Sequence, residues 1–278
     1  MANSIDRIEN PTVEEFWANY LSREKPVIIT GVVDKWPAFG KWNPDYLEKS
    51  FGDRMLPITA ITDGDYCNAQ RNELSIKDYL NYLNSGHSGT TKYYLAELPV
   101  KKHLPELEDD MIIPEYFNKR EGSAHSVFYV GKDNFSQLHY HEYGSAVCSI
   151  LYGEKNFRLF PPSESRKLYK YPFYTRLSNM SKTTSLTPDM EKFPLYYKAE
   201  PIDLTLKQGE MLFIPIYWWH SIQNFGLNMA TVTFWGRDIW YRKPPPALMV
   251  DYLYELVCES PSILKSIPER VINKLRKH

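Results

Sequence analysis

Cysteine is scarce in this chain: Cys67, Cys148 and Cys258 are the only three in 278 residues. An odd, widely spaced set is not a disulfide framework, and without a CxxC pair there is no zinc knuckle. Charge of one sign is lacking too. Lys and Arg number 33 against 34 Asp and Glu, for a net charge of −1, so no electrostatic argument favours nucleic acid or an anionic membrane as a partner. No apolar run approaches a membrane span. The opening MANSIDRIENPTVEEF lacks the apolar core of a signal peptide. Low-complexity sequence and internal repeats are absent. The expectation from these exclusions is a reducing, cytoplasmic setting.

Aromatic residues are plentiful, with 21 Tyr, 13 Phe and 7 Trp. They suit strands and aromatic-lined pockets. The length is normal for a single β-sandwich or barrel with helices attached, and it suffices for a sizeable core.

Helical signals flank a run of short strands. Thr12 and Glu15 make a capping box for a helix over residues 11–24. Asn43 caps a second helix from Pro44 to Phe51, with Gly52 as its stop. Ser75 opens a third, with Ile76, Tyr79, Leu80 and Leu83 on one side. Strands are expected at 26–33, 55–62, 92–97, 125–130, 137–142, 145–151, 155–160, 202–206, 211–215, 218–223 and 228–235. Many short strands with turns between them argue for a barrel or jelly roll. The stretch 163–194 has no clear period and reads as a surface insertion, a lid or a substrate contact. Pro244-Pro245-Pro246 marks a boundary. Residues 1–243 then form the main domain, with its N-terminal helices, and 244–278 a helical extension. Its apolar stripe, Met249, Tyr252, Leu253, Leu256 and Val257, either packs back on the domain or forms a homodimer interface. A last helix is expected from Ser266 to about Arg276.

His139 and His141 stand two apart on an expected strand, so both project to one face. Two imidazoles at that spacing can chelate one cation, and imidazole suits iron, zinc, copper and nickel. His220, after Tyr217-Trp218-Trp219, can supply a third ligand. A bare HxH is also compatible with ordinary polar histidines.

The wider context is more specific. HYHEYGSAVCSILYGEKNFRLFPP, GEMLFIPIYWWHSI and NMATVTFWG resemble the JmjC group of the cupin superfamily. These are cupin-like Fe(II)/2-oxoglutarate-dependent oxygenases, among them the group of asparaginyl hydroxylases that act on hypoxia-inducible factor. KPVIITGVVDKWPAFGKWNPDYLEKSFGDRMLPI and YYLAELP resemble that family's entry segment and next strand. The likeness runs in consistent order from about Phe16 to Trp240. It implies a mainly β fold with flanking helices (α+β), a double-stranded β-helix of the jelly-roll, cupin/JmjC kind.

The family pattern, His-x-Asp/Glu and a distant His, makes the two-His-one-carboxylate triad of non-haem iron oxygenases. Carried over, His139 is the first ligand and His220 the last. The middle ligand is His141, where the family has a carboxylate. Glu142, next to it, should point to the opposite face unless the strand is bulged there. Three neutral imidazoles leave the metal its full charge. They also describe a catalytic zinc site, and a three-His iron centre resembles that of the thiol dioxygenases. Iron(II) is the metal the resemblance implies, with zinc or another divalent ion as alternatives.

Lys155 shares the parity of Phe157 and Leu159, so it should face the apolar side, where an ammonium needs an anionic partner. By resemblance it is the lysine that binds the distal carboxylate of the co-substrate 2-oxoglutarate. Tyr94, Ser136, Thr233 and Trp235 resemble further pocket residues. The implied activity is hydroxylation of a protein side chain, a peptide or a small molecule. A three-His enzyme without 2-oxoglutarate, or an inert binding module, are the alternative readings.

Overall fold

In the computed structural model, Thr12 Oγ1 accepts the Glu15 N–H at 3.1 Å while a Glu15 carboxylate oxygen accepts the Thr12 N–H at 2.9 Å. That reciprocal pair satisfies two backbone donors at the helix start and opens α1 (Val13–Phe16), which continues as a π-helical turn, Trp17–Leu21. The structure describes residues 4–62, 69–86, 89–117, 125–183 and 186–235, together with Pro246, Leu248, Met249, Tyr252 and Leu253.

Two more helices begin as their caps predict. Asn43 Oδ1 accepts the Tyr46 N–H to start α2 (Pro44–Phe51), and Ser75 caps α3 (Ile76–Asn84). Gly52 closes α2 with φ −51°, in the right-handed region. It is therefore not a left-handed cap. What requires glycine there is space, since a Cβ would lie 2.5 Å from the Glu48 carbonyl oxygen. A single helical turn, α4 (Val100–His103), follows the fifth strand.

Among the described residues thirteen strands make two sheets. In chain order they are β1 (Asp6–Glu9), β2 (Val27–Thr30), β3 (Met55–Thr62), β4 (Gln70–Ser75), β5 (Thr91–Pro99), β6 (His125–Lys132), β7 (Phe135–His139), β8 (Ser145–Tyr152), β9 (Glu154–Phe160), β10 (Ile202–Lys207), β11 (Met211–Ile214), β12 (Trp219–Gln223) and β13 (Leu227–Trp235). The larger sheet runs β1-β2-β11-β8-β13-β6-β5-β3-β4 and the smaller β10-β9-β12-β7. β1 and β4, which the spacing did not announce, are the edges of the larger sheet.

β8 explains the layering. All of its residues but the last are buried, because β11 and β13 flank it and both of its faces are covered. Val147 and Leu151 face an outer core with Phe16, Trp42 and Tyr79 from the helices. Cys148 and Ile150 face the space between the sheets, with Phe157, Leu159, Ile202 and Leu206 opposite. The far side of the smaller sheet is covered in turn: Leu138, Tyr140, Phe160 and Trp219 pack with Leu168, Tyr196 and Leu248. The result is the jelly-roll sandwich of the resemblance, helices on one side and the 163–194 segment on the other.

Of the C-terminal extension, Leu248 and Tyr252 pack on this domain, while Met249 and Leu253 are exposed. Of the stripe, Tyr252 turns inward beside Leu248, while Met249 and Leu253 stay outside. The domain boundary expected at 244–246 (Pro246 apart), Leu256, Val257, the helix from Ser266 and any dimer contact made there lie outside the described residues.

Candidate metal centre and acid pocket

β7 and β12 bring two of the histidines together. They pair antiparallel with His139 directly opposite His220, a placement that sets side chains about 5 Å apart. His141 arrives differently. The strand expected over 137–142 ends at His139, so alternation along a strand does not position the second ring. The 163–194 segment does. Asn179 Nδ2 donates to the Tyr140 carbonyl at 2.9 Å, and the Tyr140 N–H donates to the Asn179 carbonyl at 3.0 Å. Ser181 N–H donates to the Leu138 carbonyl at 2.8 Å, and the Tyr217 N–H to that of His141 at 3.1 Å. The linker between the two histidines is held at both of its backbone groups by a segment that has no period of its own.

The three rings converge. Centroids lie 4.2 Å apart for His139–His220, 4.7 Å for His141–His220 and 5.5 Å for His139–His141. One ring nitrogen from each lies within 4.8 Å of the others. The tautomers are set by the backbone. His139 Nδ1 sits 2.7 Å from the Gln137 carbonyl and His220 Nδ1 3.1 Å from that of Trp218. A carbonyl only accepts, so both Nδ1 atoms carry the proton and both Nε2 atoms keep a lone pair. His141 Nδ1 is buried with no partner among the described residues. Burial pushes all three below histidine's ordinary pKa. His141 falls to about 3, with His139 adding to the effect. His139 falls through burial alone, and His220 well below through burial and both neighbours. Three neutral imidazoles with free lone pairs suit a divalent ion. Glu142 is not among them: its carboxylate faces the Tyr140 hydroxyl at 3.3 Å and Ser178 Oγ at 3.4 Å.

The histidines line a cavity of about 430 Å³ between the sheets, and Lys155 lines it too. Lys155 alternates inward with Phe157 and Leu159 and is 1% exposed. Its Nζ lies 3.5 Å from the Tyr94 hydroxyl and 5.2 Å from the centre of the Tyr129 ring. No carboxylate of the described residues is in ion-pair range, and burial holds its pKa below the ordinary lysine value. A buried ammonium with no carboxylate beside it among the described residues is half of a binding site.

The remaining expected pocket residues divide. Tyr94 and Ser136 line the cavity. Thr233 faces away, its hydroxyl 2.9 Å from Ser126 Oγ, because Val232 and Phe234 take the cavity side of β13. The Phe234 ring lies 5.0 Å from His141. Trp235 ends β13, with its side chain outside what is described. The cavity also has residues that the spacing did not mark: Tyr129, Glu97, Arg71, Arg176, Asn179 and Met180. Tyr129 was within reach of an alternation argument on β6. Asn179 and Arg176 belong to the segment without a period, and nothing in it pointed to the metal. A larger, shallow depression of about 710 Å³ beside α2, lined by Asp45, Lys49 and Arg54 among others, holds no histidine.

Comparison with known proteins shows what the chain is similar to. A family model described as "Cupin-like domain" matches residues 13–243. The chain is 31% identical over 241 residues to "Lysine-specific demethylase 8" of Xenopus tropicalis, covering 84% of this chain and 52% of that protein. Its counterpart in Danio rerio is 30% identical over 240 residues, covering 83% and 58%. "JmjC domain-containing protein D" of Dictyostelium discoideum is 29% identical over 247 residues, covering 81% and 55%. The chain therefore spans about half the length of the curated relatives it matches.

Proposed function

The chain belongs to the cupin-like family that includes JmjC-domain proteins, and from that premise we propose that it is a non-haem, metal-dependent hydroxylase using Fe(II) and 2-oxoglutarate. The observation that carries the reading is Lys155. A fully buried ammonium, without a counter-ion among the described residues, shares one cavity with three convergent, neutral histidines. Such a cavity calls for a molecule that is anionic at one end and able to reach a metal at the other. A short dicarboxylate meets both demands.

Each residue then has a task. His139, His141 and His220 hold the metal through their free ring nitrogens, and the Gln137 and Trp218 carbonyls fix two of the rings. Lys155 and the Tyr94 hydroxyl take the distal carboxylate. Ile222, Val232 and Phe234 supply apolar wall that excludes water. Iron(II) with 2-oxoglutarate supplies the oxidation: one atom of O₂ enters a substrate C–H bond, and the other leaves in succinate as CO₂ is released. The substrate in this reading is a peptide, a protein side chain or a small molecule. The setting is the cytoplasm. Among the described residues no helix is long and apolar enough to cross a membrane.

The test is turnover. Purified protein with iron(II), ascorbate and oxygen is expected to convert 2-oxoglutarate to succinate at a low uncoupled rate even without substrate. No succinate above the His139→Ala, His220→Ala control would overturn the proposal.

A further inference from the structure

The resemblance implies a carboxylate as the middle ligand, where this chain has His141, and one strand next to the cavity is distorted so that it presents a carboxylate there. β5 pairs with β6 through Leu95↔Val130 and then Leu98↔Phe128. Ala96 and Glu97 together therefore oppose Tyr129 alone, which is a β-bulge. The bulge changes where side chains point. In a regular strand Tyr94 and Ala96 would face the cavity and Glu97 would face away. Here Ala96 and Glu97 both line it. Glu97 has φ +53°, a left-handed backbone that costs a residue with a Cβ about 1 kcal/mol or more. Such strain persists where the surrounding structure enforces it, and bulges recur beside active sites, where they re-aim a side chain.

What the distortion delivers is a carboxylate. Glu97 is the only acidic residue lining the cavity among the described residues. Among them it forms no salt bridge, though Arg71 and Arg176 line the same cavity.

Resting on the reading of a divalent metal held by three histidines, we propose that Glu97 is the carboxylate of this metal site, acting from outside the ligand set to supply the negative charge that His141 does not. The charge balance supports it. With an aspartate in the middle position, a divalent ion, Lys155 and a dicarboxylate would together be neutral. With His141 there, the same set carries one surplus positive charge, to which Arg71 and Arg176 at the cavity add, and Glu97 is the one lining carboxylate among the described residues that offsets it. Glu97 is thereby a positioning and charge-balancing residue, not a ligand.

The experiment is a metal titration of the full chain that needs no turnover. Cobalt(II) binding is followed by its visible d–d absorption in the native protein, Glu97→Gln, His141→Asp and the double variant. Glu97→Gln is expected to weaken cobalt binding about tenfold, the scale of partners just beyond the ligands. Melting of the metal-free protein should stay unchanged, because the side chain is exposed and the amide keeps its shape. Affinity for 2-oxoglutarate at saturating cobalt should stay equal or rise, since an anion has been removed. In the His141→Asp background, where the carboxylate is back among the ligands, Glu97→Gln should cost less than twofold. Unchanged cobalt affinity in Glu97→Gln overturns the proposal, as does an equal loss in both backgrounds. Failure of the native chain to bind cobalt at all overturns the three-histidine reading with it, which separates the two cases.

Discussion

Replacing Lys155 with methionine tests the acid pocket from both sides. In the ligand-free protein the ammonium is 1% exposed, and among the described residues it is offered the Tyr94 hydroxyl at a long 3.5 Å and the face of Tyr129. Those contacts repay little of what burying a charge costs. An apolar side chain of similar length removes the cost, so the metal-loaded but acid-free protein should gain about 1–3 kcal/mol. For a chain of this size that is a rise in Tm of about 2–4 °C for each kcal/mol. The acid, by contrast, loses its one full charge partner. A hydrogen bond to a charged group contributes about 1.5–3 kcal/mol, so Kd for 2-oxoglutarate should rise roughly ten- to a hundredfold. Anaerobic calorimetry on the manganese-loaded protein reads the second effect, and differential scanning fluorimetry the first. The pH dependence has a definite sign. Burial lowers the lysine's folded-state pKa, so between that value and 10.5 the unfolded chain carries more protons, and stability of the acid-free protein climbs as pH rises. Lys155→Met should flatten that climb. A variant that binds 2-oxoglutarate within threefold of the native protein, or that melts lower without it, would show that Lys155 is a structural lysine and that the pocket is misread.

The histidines give a second pH signature of their own. Their folded-state pKa values lie below 6.5, that of His141 at about 3. Metal-free protein should therefore lose stability as pH falls below 6.5, by up to about 1.4 kcal/mol per pH unit for each histidine. Urea midpoints at pH 7.5 and 5.5 measure it, and a flat profile would contradict buried neutral rings. Asn179→Ala removes the side-chain half of the clamp on Tyr140. Cobalt affinity should fall about tenfold with little change in 2-oxoglutarate affinity at saturating metal, and an unaltered cobalt titration would deny the clamp. Asp110 accepts from Trp42 Nε1 at 2.8 Å and from Lys41 Nζ at 2.7 Å. Asp110→Ala strands the buried indole N–H, so urea denaturation should show a loss of about 2 kcal/mol. A loss under 0.5 kcal/mol would mean that water or another acceptor takes the indole.

What could be read in the sequence, and what could not, divides along a physical line. Features set by neighbours in the chain were legible. Thr12, Asn43 and Ser75 cap helices because capping is a contact over three residues. Lys155 faces inward with Phe157 and Leu159 because a regular strand alternates. The jelly roll followed from many short strands and from a resemblance that covers most of the chain. Features set by breaks in regularity were not. Thr233 was placed on the cavity side of β13 by analogy alone, whereas Val232 and Phe234 take that side. His141 lies beyond the end of β7, so its position depends on Asn179, 38 residues on, and no local pattern encodes that bond. Glu97 is the sharpest case. In a regular strand Glu97 would share the face of Leu95, away from the cavity. Only the pairing of Leu95 with Val130 and of Leu98 with Phe128 reveals the extra residue. A bulge is defined by two strands together, so one strand's sequence does not contain it. Glu97, proposed to offset the missing charge at His141, therefore has its face set by the neighbouring strand and not by its own segment.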